Sequence, residues 1–178
     1  QSVLAQDYAD LEYILIDGKS TDASFEIAKS YGNDISVLIS EPDKGMYDAL
    51  NKGIAMATGD VIGILNADDI LANSGVITEV AKVFQEPSVE AVYGDLNYVA
   101  QNDVAKVQRK WRSAPSTPKD LALGWMPAHP TLYIRSAHFK TYGPYKLNYG
   151  SAADYELMLR YGYTHKMNTR YLPLLMVN

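Results

Sequence analysis

The sequence has no cysteine, which excludes disulfides and every thiolate metal site. It has no apolar run near the ~20 residues that a membrane-spanning helix needs. Basic residues are in deficit: 16 Lys and Arg stand against 21 Asp and Glu, a net charge of −5. That balance argues against a dedicated nucleic-acid binder, which carries a basic face. Internal repeats and low-complexity segments are also missing. What remains is an ordinary globular composition, 47% hydrophobic and 21% charged, in 178 residues, a length that fits one domain.

Short apolar runs alternate with helical patterns. "EYILI", Glu12 to Ile16, reads as a buried strand ending at Asp17-Gly18. In "STDASFEIAKSYG" Thr21 or Asp22 is placed to cap a helix that Gly32 closes. "ISVLIS", Ile35 to Ser40, is a second strand. The segment "DKGMYDALNKGIAMATG" predicts a helix with Met46, Ala49, Leu50, Gly53, Ile54 and Ala57 on its inner face and Gly59 as its end. "VIGILN" is a third strand. "SGVITEVAKVFQEP" predicts a helix burying Val76, Ile77, Val80, Ala81 and Phe84, and "AVYGDLNYV" a fourth strand.

This alternation predicts a parallel α/β sheet with crossover helices. Ligands bind such sheets beyond the carboxyl ends of the strands. Asp17 and the adjacent pair Asp68 and Asp69 fall at such ends.

After residue 99 the pattern changes. "VAQNDVAKVQRKWR" predicts an antiparallel hairpin turning near Asn102-Asp103. "SAPSTPKDLALGWMPAHP" predicts a long surface excursion, the kind of loop that often serves as a lid. "TLYIR" is a strand, "SAADYELMLRYG" a helix and "RYLPLLMVN" a last strand. "QSVLAQD" has the look of the last turns of a helix with Val3 and Leu4 inward, and the crossover rule asks for a strand before it. The expectation is therefore a fold whose first strand is missing from this sequence and which is cut at both ends.

Two carboxylates side by side repel, and each disfavours ionisation of the other. A divalent cation between Asp68, Asp69 and a diphosphate relieves that repulsion, because Mg²⁺ or Mn²⁺ takes one or two protein oxygens and the rest from phosphates and water. Helix capping explains the pair as well. Asp17 suits a ribose hydroxyl or a base imide, and equally an Asp-Gly turn. Asp43, Lys44 and Gly45 precede a helix whose N–H groups suit a phosphate or ordinary capping. Asp154 and Glu156 suit either a general base for a hydroxyl or the positive end of a helix. His129 is a lone histidine beside a proline. "KVQRKWR" alternates basic and apolar residues around Trp111, which fits an anionic surface or acceptor, or a solvated edge hairpin.

Taken in order, "EYILIDGKSTDAS", "SEPDKGMYDALNKGIAMATGDVIGILNADD", "VYGDLNYV", "HPTLYIR" and "SAADYELMLR" resemble glycosyltransferase family 2, the inverting family with the GT-A fold, in its bacterial surface-polysaccharide branch. The middle block is the most specific and the resemblance covers nearly the whole chain. It implies a Rossmann-like, mostly parallel central sheet with flanking helices and a small antiparallel hairpin. It implies one domain, with residues 1–99 binding a nucleoside-diphosphate sugar and residues 100–178 carrying the acceptor and base half. By position, Asp17 matches the nucleobase contact, Asp68 a residue near the ribose, and Asp69 the ligand of Mn²⁺ or Mg²⁺. Asp154 matches the catalytic base. Lys44 and Gly45 match the donor loop, and His129 and Arg160 a diphosphate or acceptor contact.

The implied reaction moves a sugar, from a UDP-sugar by default, to a hydroxyl of a glycan or lipid-linked acceptor. Its implied setting is bacterial cell-wall or surface-polysaccharide biosynthesis, in the cytoplasm or peripherally at the inner face of the membrane. The competing readings are a sugar nucleotidyltransferase on a related fold and a non-catalytic nucleotide-binding remnant.

Overall fold

The structure, a computed structural model, describes residues 1–178. Seven strands and six α-helices follow the predicted α/β alternation. In the first half β1 (Ile14–Asp17), α1 (Ser24–Ser30), β2 (Val37–Ser40), α2 (Met46–Met56), β3 (Val61–Gly63) and α3 (Val76–Phe84) succeed one another. The second half runs through β4 (Ala91–Ala100), β5 (Asp103–Trp111), α4 (Pro118–Ala122), β6 (Tyr133–Arg135), α5 (Ser136–Tyr142), α6 (Ala153–Met158) and β7 (Thr169–Val177). No helix is long and apolar enough to cross a membrane.

β1 and β2 form a parallel pair, Ile14 opposite Val37 and Asp17 opposite Ser40. The other five strands form one sheet in the order β3-β6-β4-β5, with β7 also on β4. This central sheet is mixed rather than mostly parallel. β6 runs antiparallel to β3 and to β4, and β7 is parallel to β4. The reason lies in the connections. The long excursion before β6 lets it return in either direction, whereas the crossover through α1 brings β2 parallel to β1. β3 with β6 and β4 with β7 pair across residue 99, so one sheet spans both predicted halves.

Both faces of that sheet are covered. Ala91 and Tyr93 of β4 point into one cluster with Ile134, Leu157 and Tyr161. Val92 and Leu96 point into another with Val76, Val80, Phe84 and Met176. A strand buried on both faces reads as a continuous apolar run, which is how β4 reads. Each fully buried Val or Leu contributes about 1.5–3 kcal/mol relative to exposure. Gly94 sits between the two clusters, and a Cβ there would lie 2.8 Å from the carbonyl oxygen of Leu174 and inside Met176.

α3 buries Val76, Val80 and Phe84 as its periodicity predicts. α2 departs from prediction. Met46 is 48% exposed, while Tyr47, Leu50 and Ile54 face the core and Gly53 rests on Ile16. The helix begins one residue after the turn at Gly45, which rotates Tyr47 rather than Met46 inward. It ends at Met56, ahead of Gly59. The helix predicted around "SAADYELMLRYG" is three pieces: a 3₁₀ segment over Leu147–Ala152 kinked at Gly150, α6, and a π-helical turn over Leu159–Thr164.

β7 closes the sheet beside the loop that follows β3. Ile70 N–H donates to Asn178 O at 2.9 Å and Asn178 N–H to Ile70 O at 2.8 Å. Leu71 bridges to Val177.

Candidate active site

β1 ends on Asp17, 8% exposed at the strand tip. Its carboxylate accepts the Ser20 backbone N–H at 3.1 Å, the Ser20 hydroxyl, and the Ser40 hydroxyl at 2.5 Å. The Ser20 and Ser40 hydroxyls hold its pKa below the ordinary carboxylate value, against the opposing effect of desolvation. The Ser20 N–H is shared between both carboxylate oxygens, and each oxygen also takes one serine hydroxyl. At Gly18 any Cβ would overlap the Asp43 carboxylate, so the loops after β1 and β2 meet there.

In that second loop Gly45 has φ +108°, a left-handed region glycine enters without strain. The Gly45 N–H donates to Asp43 Oδ1 at 2.8 Å and the Lys44 N–H to Asp48 Oδ2 at 3.0 Å. These two amides are therefore engaged by Asp43 of the loop and Asp48 of α2. Lys52 ties the loop down through Pro42 O and Glu41, both at 2.8 Å. The Lys44 ammonium makes no ion pair and is the loop's free cation.

Asp68 is exposed and Asp69 half-buried, in the turn after β3. Asn66 Nδ2 donates to Asp69 Oδ2 at 2.7 Å. Burial raises the Asp69 pKa and Asp68 adds to the rise, while Asn66 opposes it. Asn66 Oδ1 is buried without any donor. The turn thus gathers hard oxygens, one of them orphaned, around a carboxylate short of positive charge. That donor set suits Mg²⁺ or Mn²⁺ completed by phosphates and water. No group of three or more His, Asp, Glu or Cys gathers into a closed metal cage.

Asp154 stands in the first turn of α6. Around it the structure brings three rings. Tyr47 of α2 lies against it, and burial together with the Asp154 charge raises the Tyr47 pKa. His129 is 8% exposed, and burial lowers its pKa while Asp154 pulls the other way. Its Nε2 shares a hydrogen bond of 2.8 Å with the Tyr145 hydroxyl, and the two rings meet edge-on. Tyr145 also lies 5.2 Å from Tyr47, centroid to centroid. Asn51 fixes this arrangement with two backbone hydrogen bonds to Tyr145, each 2.9 Å.

Tyr47, Asn51 and Tyr145 were not singled out in the sequence. The i, i+4 spacing of Tyr47 and Asn51 was the available signal, since it places both on one helix face. Asp95, also unflagged, holds the start of the long excursion. It accepts Ser113 N–H at 2.9 Å and the Tyr171 hydroxyl at 3.0 Å, with Arg112 at 3.6 Å.

Arg160 is not brought to the acids. Its Nε and Nη2 meet both Glu156 oxygens at 2.9 Å. Its remaining N–H groups go to the carbonyls of Tyr142, Gly143 and Pro144. Glu156 also meets Lys146 at 2.9 Å. A guanidinium has five N–H donors, and all are spent on this turn. Arg160 lies in the π-helical turn after α6, where its donors are engaged within the protein rather than free for the expected diphosphate or acceptor contact.

The family model described as "Glycosyl transferase family 2" matches residues 1–147. A "PGL/p-HBAD biosynthesis glycosyltransferase" of Mycobacterium tuberculosis is 30% identical over 182 residues, covering 99% of this chain and 68% of that protein. An uncharacterized glycosyltransferase of the same species is 31% identical over 162 residues, covering 90% of this chain and 61% of that protein. Among solved structures, a mannosyltransferase from Pyrobaculum calidifontis, in complex with GDP-Man and Mn²⁺, superposes with a TM-score of 0.73 at 19% identity. TarS of S. aureus in complex with UDP-GlcNAc superposes at 0.74 and 16%. The chain spans about half the length of each, 50% and 52%. These structures establish the GT-A fold.

Proposed function

The chain belongs to glycosyltransferase family 2, and from that premise we propose that it transfers a sugar with inversion, using Asp154 as the base. The family membership favours this reading over a sugar nucleotidyltransferase. One observation carries the proposal: Asp154 is set against Tyr47, on the helix that starts from the Lys44-Gly45 loop. The base thereby packs against the helix that begins at the donor loop.

In the proposed reaction Asp17 engages the nucleoside and Asp68 the ribose, with Lys44 at the diphosphate. Asp154 accepts the proton of an acceptor hydroxyl as its oxygen forms a bond to the anomeric carbon. The bond from that carbon to the diphosphate breaks, and the nucleoside diphosphate leaves. Asp69 and Asn66 would hold Mn²⁺ or Mg²⁺, which supplies positive charge to the leaving diphosphate. His129, kept neutral by burial, and Tyr145 hold Tyr47 and hence the wall beside Asp154. Arg160 is left with a structural part.

The donor is a nucleoside-diphosphate sugar, with UDP as the first base to try. The P. calidifontis and S. aureus proteins bind GDP-Man and UDP-GlcNAc respectively, so both bases belong in the test. The acceptor in the proposal is a hydroxyl of a glycan or lipid-linked glycan in cell-surface biosynthesis, reached from the cytoplasmic face of the membrane.

Calorimetric titration with UDP, GDP, dTDP and CDP, with and without Mn²⁺, tests the donor site. Metal-dependent binding of one nucleotide, lost in Asp69→Ala, is the expected result. Binding that survives Asp69→Ala with its metal dependence intact refutes the assignment of the ligand.

A further inference from the structure

The hairpin of β4 and β5 carries charge and apolar surface that neither the core nor the transfer chemistry uses. β5 is an edge strand, bonded only to β4, and all of it before Trp111 is exposed. Residues 103–112 hold four basic side chains and one acidic, Asp103, while the rest of the chain holds twelve basic and twenty acidic. Arg112 is drawn back to Asp95. Lys106, Arg109 and Lys110 make no ion pair.

Charge alone would suffice to protect an edge from pairing. Here apolar groups stand among the cations: Val104 is 54% exposed, Tyr98 44% and Val107 40%. Tyr98 and Trp111 stack at 6.5 Å, and the Arg109 guanidinium lies 5.4 Å and 5.3 Å from their ring centroids. Aromatic rings with a polar tip and long cationic side chains are the groups that settle at a water–lipid boundary.

The hairpin also has a defined position. Pairing of β4 with β7 ends at Leu96 opposite Val177, and β4 runs on for four residues, roughly 13 Å at 3.3 Å each. Asn97 Nδ2 donates to Asn178 Oδ1 at 3.0 Å, and Asn178 pairs with Ile70, next to Asp69. The overhang leaves the molecule from the edge that bears Asp68 and Asp69.

We propose that the β4–β5 hairpin docks the chain on a bilayer surface containing anionic phospholipid. Lys106, Arg109 and Lys110 meet headgroup phosphates, and Val104, Val107 and Tyr98 enter the interfacial layer. The acidic body does not cancel the attraction, because charges more than a Debye length away, about 10 Å at 0.1 M salt, are screened. The proposal goes beyond the transfer reaction and stands or falls independently of it.

The test is sedimentation with vesicles of phosphatidylcholine, alone or mixed with phosphatidylglycerol. The chain is expected to bind the mixed vesicles at low salt, to ignore the neutral ones and to be released by high salt. Combining Lys106→Glu, Arg109→Glu and Lys110→Glu should weaken partitioning about a hundredfold or more, at about fivefold per basic residue removed. Val104→Asp with Val107→Asp should weaken it with the cations intact. Both variants alter exposed side chains, and an unchanged melting temperature certifies their fold. In a Trp125→Phe background, Trp111 emission should shift to the blue on mixed vesicles. Failure to bind anionic vesicles, or binding untouched by the charge reversals, overturns the proposal. So does equal binding to a soluble acidic polysaccharide with Trp111 emission unmoved on vesicles, which would mark an acidic-glycan surface instead.

Discussion

Arg160→Lys separates a structural role for this residue from a substrate-binding one. Arg160 and Glu156 are both shielded, with side chains 11% and 12% exposed. The guanidinium reaches two carboxylate oxygens and three carbonyls in one plane. Lysine keeps the charge but offers three donors from a single point. It can serve Glu156 or the Tyr142–Pro144 turn, not both, so at least two hydrogen bonds to a charged group are lost. Such bonds contribute about 1.5–3 kcal/mol each, and water recovers part of the loss at the turn. The expected cost is about 3 kcal/mol, which for a chain of this size lowers Tm by roughly 6–12 °C. Thermal unfolding followed by circular dichroism measures it. Donor KM, assayed well below the lowered Tm, should stay at the wild-type value. An unchanged Tm together with a raised donor KM would refute the structural assignment and return Arg160 to the substrate site.

Three further outcomes follow from the same geometry. Asp154→Asn should lower kcat by about 10²–10⁴-fold with nucleotide affinity retained, and unaltered turnover would remove Asp154 from the base role. Asp69→Asn should stabilise the metal-free chain at pH 7. The folded-state pKa of Asp69 is raised, so its charge costs stability above that pKa and the cost is relieved as pH falls through it. A rise in Tm that shrinks on acidification is expected; a fall in Tm at pH 7 would contradict the stated cause. Gly94→Ala should cost about 2–3 kcal/mol or more through overpacking, because the new Cβ meets the Leu174 carbonyl and Met176. A wild-type denaturation midpoint would show that β7 yields there at no cost.

The elements legible in the sequence are those whose burial is written in local periodicity. β4 and α3 are examples, their apolar faces set by neighbours two to four residues apart. Direction of pairing was not legible for β6, since the excursion before it is long enough to return either way. The acids at the strand ends were legible as well, because a strand's carboxyl end is a local property. The surroundings of Asp154 were not. Tyr145 comes from a segment with no periodic pattern, and Asn51 meets it across 94 residues of chain. Tyr47 was masked by Met46, whose apolar character suggested the buried position that the helix start gives to its neighbour. Glu156 and Arg160 have the i, i+4 spacing of an ion pair, a signal that was on the page and gave way to the resemblance.

The paired hydrogen bonds between Ile70 and Asn178 have a consequence for the order in which the molecule is assembled. The turn holding Asp68 and Asp69 lies early in the chain, yet its downstream side is fastened by a strand about a hundred residues later. Closing a connection of that length is an entropic cost met late, once the intervening segments have folded. A ribosome that has released residues 1–99 has therefore released the acidic turn without the clamp that orders it. On the proposed role of Asp69, cation affinity should arise in a single step when β7 docks on β4.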